Sequence, residues 1–309
     1  MTLASVVIPS RGGADRLPRL LAALTAQVDP EWEAVVVLDG DVDGSEEVVA
    51  AHGDTRVRSI VFPENRGRVA ALNAGFAETT GDVLIRCDDD LEPGRDYITH
   101  HKAAHETEQG GAVGLCRNRF PDTPYARVYG IDADARFQHD AYRSTNPWRY
   151  WAANVSVPRE VWDRVGPYDA DYRAYGWEDV DWGYRLHEAG YPVRLVRELE
   201  VPHFGAASTT VSRVDRAFHS GAARRLFEAK HGRAALGAIP APGAGLWGAL
   251  VWASTLLLRS RTRLLTTARA VDTILRGLPT PIGRKLVALL VESSAQIGYA
   301  HPAETSHGL

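Results

Sequence analysis

Three consecutive carboxylates, Asp88-Asp89-Asp90, directly follow Val83-Leu84-Ile85, an apolar run that reads as a buried strand. Like charges crowded at a strand end repel one another unless a cation lies between them, and hard oxygen ligands suit Mg²⁺, Mn²⁺ or Ca²⁺. The chemistry on offer is the holding of a metal-bound phosphate ligand. Acidic triplets also occur as ordinary solvated turns, so the surrounding elements have to decide between the two.

Those elements alternate in period. Ala4 to Ile8 is a short β-branched run ending in Pro9-Ser10-Arg11-Gly12-Gly13, and Leu17, Leu20, Leu21 and Leu24 then repeat at helical spacing. Glu33 to Leu38 is a second strand, closed by Asp39-Gly40-Asp41. Ser45 is placed to cap the next helix, with Glu46 and Glu47 at its positive end. Val57 to Phe62 is a third strand, Gly67 to Glu78 a helix, and Val83 to Arg86 the fourth strand. A polar helix around Tyr97 to Glu108 precedes a fifth strand, Ala112 to Cys116. This order calls for right-handed crossovers and an α/β, doubly wound, mainly parallel sheet with helices on both faces. Pro9-Ser10, Asp39 and Asp88 to Asp90 then fall on one rim, where open α/β sheets bind ligands, and the expectation becomes a nucleotide-type ligand with a metal.

The ordered set Ile8-Pro9-Ser10-Arg11, Asp39, Asn65-Arg66-Gly67 with Asn73 and Gly75, and Asp88-Asp89-Asp90 with Pro93 resembles the nucleotide-sugar half of family 2 glycosyltransferases of the GT-A fold. Asn154-Val155-Ser156-Val157-Pro158-Arg159, Val165-Gly166-Pro167-Tyr168-Asp169 and Gly176-Trp177-Glu178-Asp179-Val180-Asp181 resemble that family's acceptor-side segments. The resemblance covers roughly residues 3 to 205 and implies an inverting, metal-dependent transferase of the hexosyl type. It would move a sugar from a nucleoside-diphosphate donor, UDP-linked in most of the family, to an acceptor hydroxyl in polysaccharide, glycolipid or glycoconjugate synthesis.

Roles follow from the same resemblance. Pro9, Ser10, Arg11, Asp39, Asn65, Gly67, Asn73, Asp88 and Asp89 are expected to bind the nucleotide sugar, with Asp39 accepting from the base and Asp88 near the ribose. The family form is two acids followed by Gly-Ser, and Leu38 to Ser45 is longer, so base binding is the firmer expectation and base identity the weaker. Asp39 also reads as a turn aspartate, and Asn73 as a helix-surface or packing residue. Asn65-Arg66-Gly67 precedes a helix start, where free N–H groups favour a nucleotide's oxygens. Asp90 and His203 are the expected ligands of Mn²⁺ or Mg²⁺, although a lone histidine is often only a core or surface residue. Glu178-Asp179 opens a helical pattern to Ala189, stopped by Gly190. Asp179 is the expected base, with Glu178 supporting it; the reverse assignment and a plain dipole role stay open. Trp177, Asn154 and Trp151 are expected on the acceptor side, and Tyr175-Gly176-Trp177 offers an aromatic face to a sugar.

Arg117 to Pro147 shows no clear period and reads as an acceptor-side lid or as an insertion over the sheet edge. Beyond Phe204, Val211 to Lys230 reads as a helix, and Ala234 to Leu258 has no charged residue. Pro240, Pro242, Gly243, Gly245 and Gly248 interrupt it, leaving Gly245 to Leu258, shorter than the roughly 20 residues a membrane span needs. From Arg259 to Lys285 there are seven basic residues against Asp272, and Leu264, Ala268, Val271, Leu275 and Leu278 share a face, a basic amphipathic helix pair. Residues 245–298 are thus read as a membrane-surface contact, a homo-oligomer contact or an intramolecular cap.

The 309 residues suffice for residues 1–116 as donor half, 117–232 as acceptor half and 233–309 as a helical extension. A net charge of −4 argues against a nucleic-acid partner. Cys87 and Cys116 read as reduced core thiols. With the first strand starting at Ala4, the expected location is cytoplasmic, peripheral at the inner face of the cell membrane if the tail rests on lipid. Two rival functions are a sugar-phosphate nucleotidyltransferase, faintly suggested by Arg11 to Pro18, and a nucleotide-sugar-binding protein without chemistry.

Overall fold

The computed structural model describes residues 2–172, 176–237 and 245–302. Tyr175, Pro240, Pro242 and Gly243 lie outside the described residues. The chain divides into two compact units, residues 1–119, 138–173 and 178–205 in the first, and 120–137, 174–177 and 206–309 in the second. The break placed in sequence at 232/233 therefore lies within the second unit, and 117–147 is shared between the two.

The first unit begins β1 (Ala4–Ser10), α1 (Leu17–Thr25), β2 (Trp32–Asp39), α2 (Ser45–His52), β3 (Val57–Phe62), α3 (Arg68–Ala77), β4 (Val83–Cys87), α4 (Tyr97–Ala103), β5 (Gly111–Val113) and β6 (Cys116–Asn118). After α5 (Ile131–Ala141), it continues with β7 (Asn154–Pro158), α6 (Arg159–Val165), α7 (Glu178–Glu188), β8 (Val193–Leu195) and β9 (Val201–His203). Seven strands form one sheet in the order β3-β2-β1-β4-β7-β5-β8, and β6 pairs with β9 separately. The sheet is parallel except for β7, antiparallel to both neighbours. Ala34, Val36 and Leu38 of β2 pack with the α1 leucines and Val49 of α2, while Val35 and Val37 pack with Ala71 of α3. Burial on both faces is why the run carries no polar alternation. Strand order reverses between β1 and β4, so a crevice opens beyond their carboxyl ends.

Three local expectations are corrected. The fifth strand ends at Val113, and Cys116 starts β6 instead. Asn154 Nδ2 donates to the carbonyls of Gly114 and Leu199 there, so the chain leaves the large sheet at Gly114. Ser45 does not cap α2: Gly44 is the cap, Asp41 accepts from the Ser45 and Glu46 N–H groups, and the Ser45 hydroxyl turns to Asp43. The segment 117–147 is not unstructured. It holds a π-turn, Ala126–Gly130, running into α5, whose buried residues are only Gln138 and Ala141, so no apolar period was there to read.

The second unit is helical, with α8 (Thr210–His231), α9 (Gly245–Leu258), α10 (Arg261–Ile274) and α11 (Thr280–Ala300). Its core joins Val214 and Phe218 of α8, Leu264, Ala268 and Val271 of α10, and Val287, Leu290 and Ile297 of α11. Asp272 accepts from the free N–H groups of Thr210 and Val211, tying α10 to the start of α8. Both cysteines are free, Cys87 buried and Cys116 half-buried. Among the described residues no helix is long and apolar enough to cross a membrane.

Candidate active site

The strand-order reversal brings the ends of β1 and β4 together. Ser10 Oγ donates to Asp89 Oδ2 at 2.6 Å, and Arg16 grips the same carboxylate through Nε at 3.0 Å and Nη2 at 2.8 Å. Burial raises the Asp89 carboxyl despite these donors. Gly13 covers the pair: a Cβ there would overlap Ser10 Oγ and come within 2.7 Å of Asp89 Oδ2. Pro9 is buried in β1, and exposed Arg11 receives Arg16 Nη2 on its carbonyl at 3.2 Å.

Asp39 ends β2 and is buried. Its carboxylate accepts the N–H groups of Arg66 (2.6 Å) and Gly67 (2.9 Å), and Asn65 Oδ1 shares the Gly67 N–H at 3.0 Å. The backbone donors expected to be free before α3 are thus already engaged by the aspartate expected to meet the base. Asn73 is also committed, its amide exchanging two hydrogen bonds with the Tyr168 backbone at 2.8 and 2.9 Å.

Asp88 is held by Arg86 through Nε at 2.8 Å and Nη2 at 3.2 Å. Arg86 lies within β4 and is only 1% exposed. Its remaining terminal nitrogen, Nη1, forms an ion pair with Asp179 in the first turn of α7. One buried guanidinium thereby joins the acidic triplet to the acidic helix. Burial is the largest influence on Asp179, with Glu178 and Asp88 adding repulsion and Arg86 and Arg68 opposing; the net result is a carboxyl raised to about 7. Glu178, 2% exposed, has Oε1 at 3.4 Å from Arg68 Nη1 and a buried Oε2 without a hydrogen-bond partner among the described residues.

Asp90 faces His203. Phe204 N–H donates to the Asp90 carbonyl at 2.9 Å and Leu91 bridges to His203, which fixes the end of β9 against the triplet. His203 Nδ1 lies 2.5 Å from Asn118 Oδ1, an acceptor, so Nδ1 carries a proton and Nε2 is left to meet Asp90 Oδ2 at 3.2 Å. A lone pair on that nitrogen and a carboxylate oxygen are brought together by a proton or by a cation. Among the described residues Asp90 Oδ1 is buried with no hydrogen-bond partner. Gly205 leaves the space open, since a Cβ there would overlap Asp90 Oδ2 and sit 2.9 Å from His203 Nε2. Burial works to raise the Asp90 carboxyl, but the His203 hydrogen bond and the charges of His203, Arg16 and Arg68 outweigh it and hold it low. Among the described residues no three His, Cys, Asp or Glu side chains converge on one point. The pair still fits Mn²⁺ or Mg²⁺ as two ligands, the rest coming from a diphosphate and water.

The residues expected on the acceptor side separate. Asn154 is 1% exposed, and besides its two carbonyl contacts it accepts from Tyr97 Oη at 3.0 Å. Trp151 is 2% exposed, donates to Tyr168 Oη at 3.1 Å and stacks on Trp182 at 4.7 Å. In this structure both are interior. Trp177 belongs to the second unit, where it packs on Phe227 and donates to Ser220 Oγ at 3.0 Å, its backbone left-handed at φ +71°. Sequence reasoning passed over Arg86, Arg16, Arg68, Asn118 and Gly205. Arg86 alone left a signal: a charge inside an apolar strand, two residues before an aspartate on the same face.

Residues 5–164 match the family model for glycosyl transferase family 2. The chain belongs to this family. Among curated relatives of this family 2 chain are validoxylamine A glucosyltransferase of Streptomyces hygroscopicus subsp. jinggangensis, 32% identical over 244 residues that cover 68% of this chain and 58% of the relative, and undecaprenyl-phosphate 4-deoxy-4-formamido-L-arabinose transferase of Salmonella paratyphi A, 29% identical, covering 60% and 52%. The chain spans less than two thirds of the length of each. In fold, the family 2 chain is similar to mannosyltransferase PcManGT from Pyrobaculum calidifontis, solved in complex with GDP-Man and Mn²⁺, with a TM-score of 0.67 at 18% identity over 99% of this chain and 88% of that one. The doubly wound GT-A fold with C-terminal helices expected from the sequence agrees with this likeness.

Proposed function

We propose that this chain is an inverting glycosyltransferase that moves a hexosyl-type sugar from a nucleoside-diphosphate donor, UDP-linked, to an acceptor hydroxyl of a polysaccharide, glycolipid or glycoconjugate. The observation that carries the reading is Arg86, whose single buried guanidinium binds Asp88 beside the expected donor site and Asp179 on the helix expected to serve the acceptor. Relatives that act as a glucosyltransferase and as an undecaprenyl-phosphate sugar transferase support the reaction class.

In this reading Pro9, Ser10, Arg11, Asp39, Asn65, Gly67, Asn73, Asp88 and Asp89 form the wall that receives the nucleotide, with Asp39 turned to the base. Asp90 and His203 would hold Mn²⁺ or Mg²⁺, which would supply Lewis-acid neutralisation of the charge on the diphosphate. Asp179 takes the proton of the acceptor hydroxyl while that oxygen bonds to the anomeric carbon and the bond from this carbon to phosphate breaks. A carboxyl raised to about 7 is a better proton acceptor than an ordinary aspartate and is still ionised in half the molecules near neutral pH. Arg86 positions it, and Glu178 supports it or the acceptor. Trp177 is the acceptor contact, whereas Trp151 and Asn154 act through the elements they pack.

Thermal shift with UDP, GDP and ADP, each with and without Mn²⁺, tests the donor side, and the Mn²⁺ and UDP combination is expected to stabilise most. A response to GDP alone removes the uridine assignment. No response to any of the three diphosphates, with or without Mn²⁺, removes the donor site itself.

A further inference from the structure

The second unit carries a helix with its polarity reversed. α9 contains no charged residue and turns Leu246 (89% exposed), Leu250, Trp252, Leu256 and Leu257 (73% exposed) to solvent. Two of its polar side chains, Ser254 and Trp247, turn the other way. Ser254 hydrogen-bonds Ser293 of α11 and the Val251 carbonyl, and Trp247 donates its indole N–H to Glu292 at 3.0 Å. A helix on a water-facing surface normally does the opposite, and a contiguous apolar strip of this kind marks a contact surface.

Two arginines say what kind. Arg259 follows α9 and donates through Nε to the Leu256 carbonyl, and Arg263 Nη1 donates to the Leu257 carbonyl at 3.3 Å, so both cations flank the apolar strip at its C-terminal end. Arg261 between them is paired with Asp215, but among the described residues no ion pair joins Arg259 or Arg263 to a carboxylate. The stretch Arg259 to Lys285 is basic, and its one acid, Asp272, is occupied by backbone N–H groups of α8.

We propose that α9 lies flat in the head-group region of an anionic lipid bilayer, its leucines and Trp252 toward the acyl chains and Arg259 and Arg263 on lipid phosphates. Fourteen residues make a helix of about 21 Å, short of the roughly 30 Å of hydrocarbon a spanning helix must cross, so the helix rests on the surface rather than traversing it. A second copy of the chain fits less well. The α9 helix of a second copy carries no acid, so it would give the two arginines no anion. The proposal is independent of which sugar or acceptor the enzyme uses.

Flotation of the full-length protein with vesicles of phosphatidylcholine alone and of phosphatidylcholine mixed with phosphatidylglycerol tests it, with light scattering to follow oligomeric size. Binding to the mixed vesicles is expected to exceed that to the neutral ones by about tenfold or more. The double variant Leu250→Glu with Leu257→Glu alters two exposed positions, so its circular dichroism and Tm should match the parent while vesicle binding falls at least about tenfold. Arg259→Glu with Arg263→Glu should erase the preference for phosphatidylglycerol. Absence of binding to the mixed vesicles, or binding that survives the leucine substitutions, overturns the proposal. So does a dimer that those substitutions convert to monomer without any vesicle binding, because the occupant of the face is then a second copy.

Discussion

The rim of the sheet and α9 depart from ordinary burial in opposite directions. Around β4 the molecule buries charge: Arg86, Asp89 and Glu178 are nearly inaccessible, and Asp179 is paired inside. On α9 it leaves hydrocarbon in water while the Ser254 hydroxyl turns inward to Ser293. Buried charge is tolerated only when paired, and losing one partner strands the other. Exposed apolar side chains cost the fold little, and their loss is felt only by whatever covers them. The first region therefore couples function to stability, and the second separates them.

The largest expected effect lies at Asp179. Asp179→Asn should lower transfer by about 10²- to 10⁴-fold while leaving Mn²⁺-dependent nucleotide binding unchanged, measured by turnover and by calorimetry. The proposed base works only when deprotonated, so activity should decline as pH falls through about 7. A flat rate profile between about pH 6 and 8, roughly one unit either side of that value, would move the base elsewhere.

Next comes Arg86→Leu, which leaves the Asp88 and Asp179 carboxylates without their shared cation and should cost about 3–5 kcal/mol in urea unfolding. The sign with pH is diagnostic. The Asp179 carboxyl is then raised further in the folded state, so the deficit should shrink as pH drops and it takes up a proton. A deficit independent of pH would mean that lost packing, not stranded charge, is responsible.

Gly205→Ala should act more narrowly. Its Cβ intrudes on Asp90 and His203, so Mn²⁺-dependent diphosphate affinity should fall by about tenfold or more with little change in metal-independent binding. Equal loss in both conditions would separate this pair from the cation. The smallest effect belongs to α9, where Leu250→Glu should change unfolding free energy by no more than about 0.5 kcal/mol. A larger loss would show that the strip is part of the core after all.

Much of the frame was legible because period and punctuation agree locally. The leucines of α1, the valines of β2 and the uncharged run of α9 each announce their element, and the acids after β4 announce a ligand rim. α5 was missed because almost none of its side chains is buried, so tertiary context holds it rather than an apolar stripe. Asn154 and Trp151 stood in motif-bearing segments, yet each satisfies its polar atoms within the interior, a fact that depends on partners 30 or more residues away for Asn154 and on a stack with Trp182 for Trp151.

The sequence by itself determined the residue types at the rim and their order along the chain, because strand ends and helix starts are set by neighbours a few positions apart. Only the tertiary structure decided that Arg86 would clasp carboxylates on β4 and α7, that Asn118 would fix the ring of His203 beside Asp90, and that α9 would turn its leucines outward. Each of those depends on which surfaces meet when distant segments pack, and a one-dimensional pattern of charge and hydropathy contains the candidates for such meetings but not the choice among them.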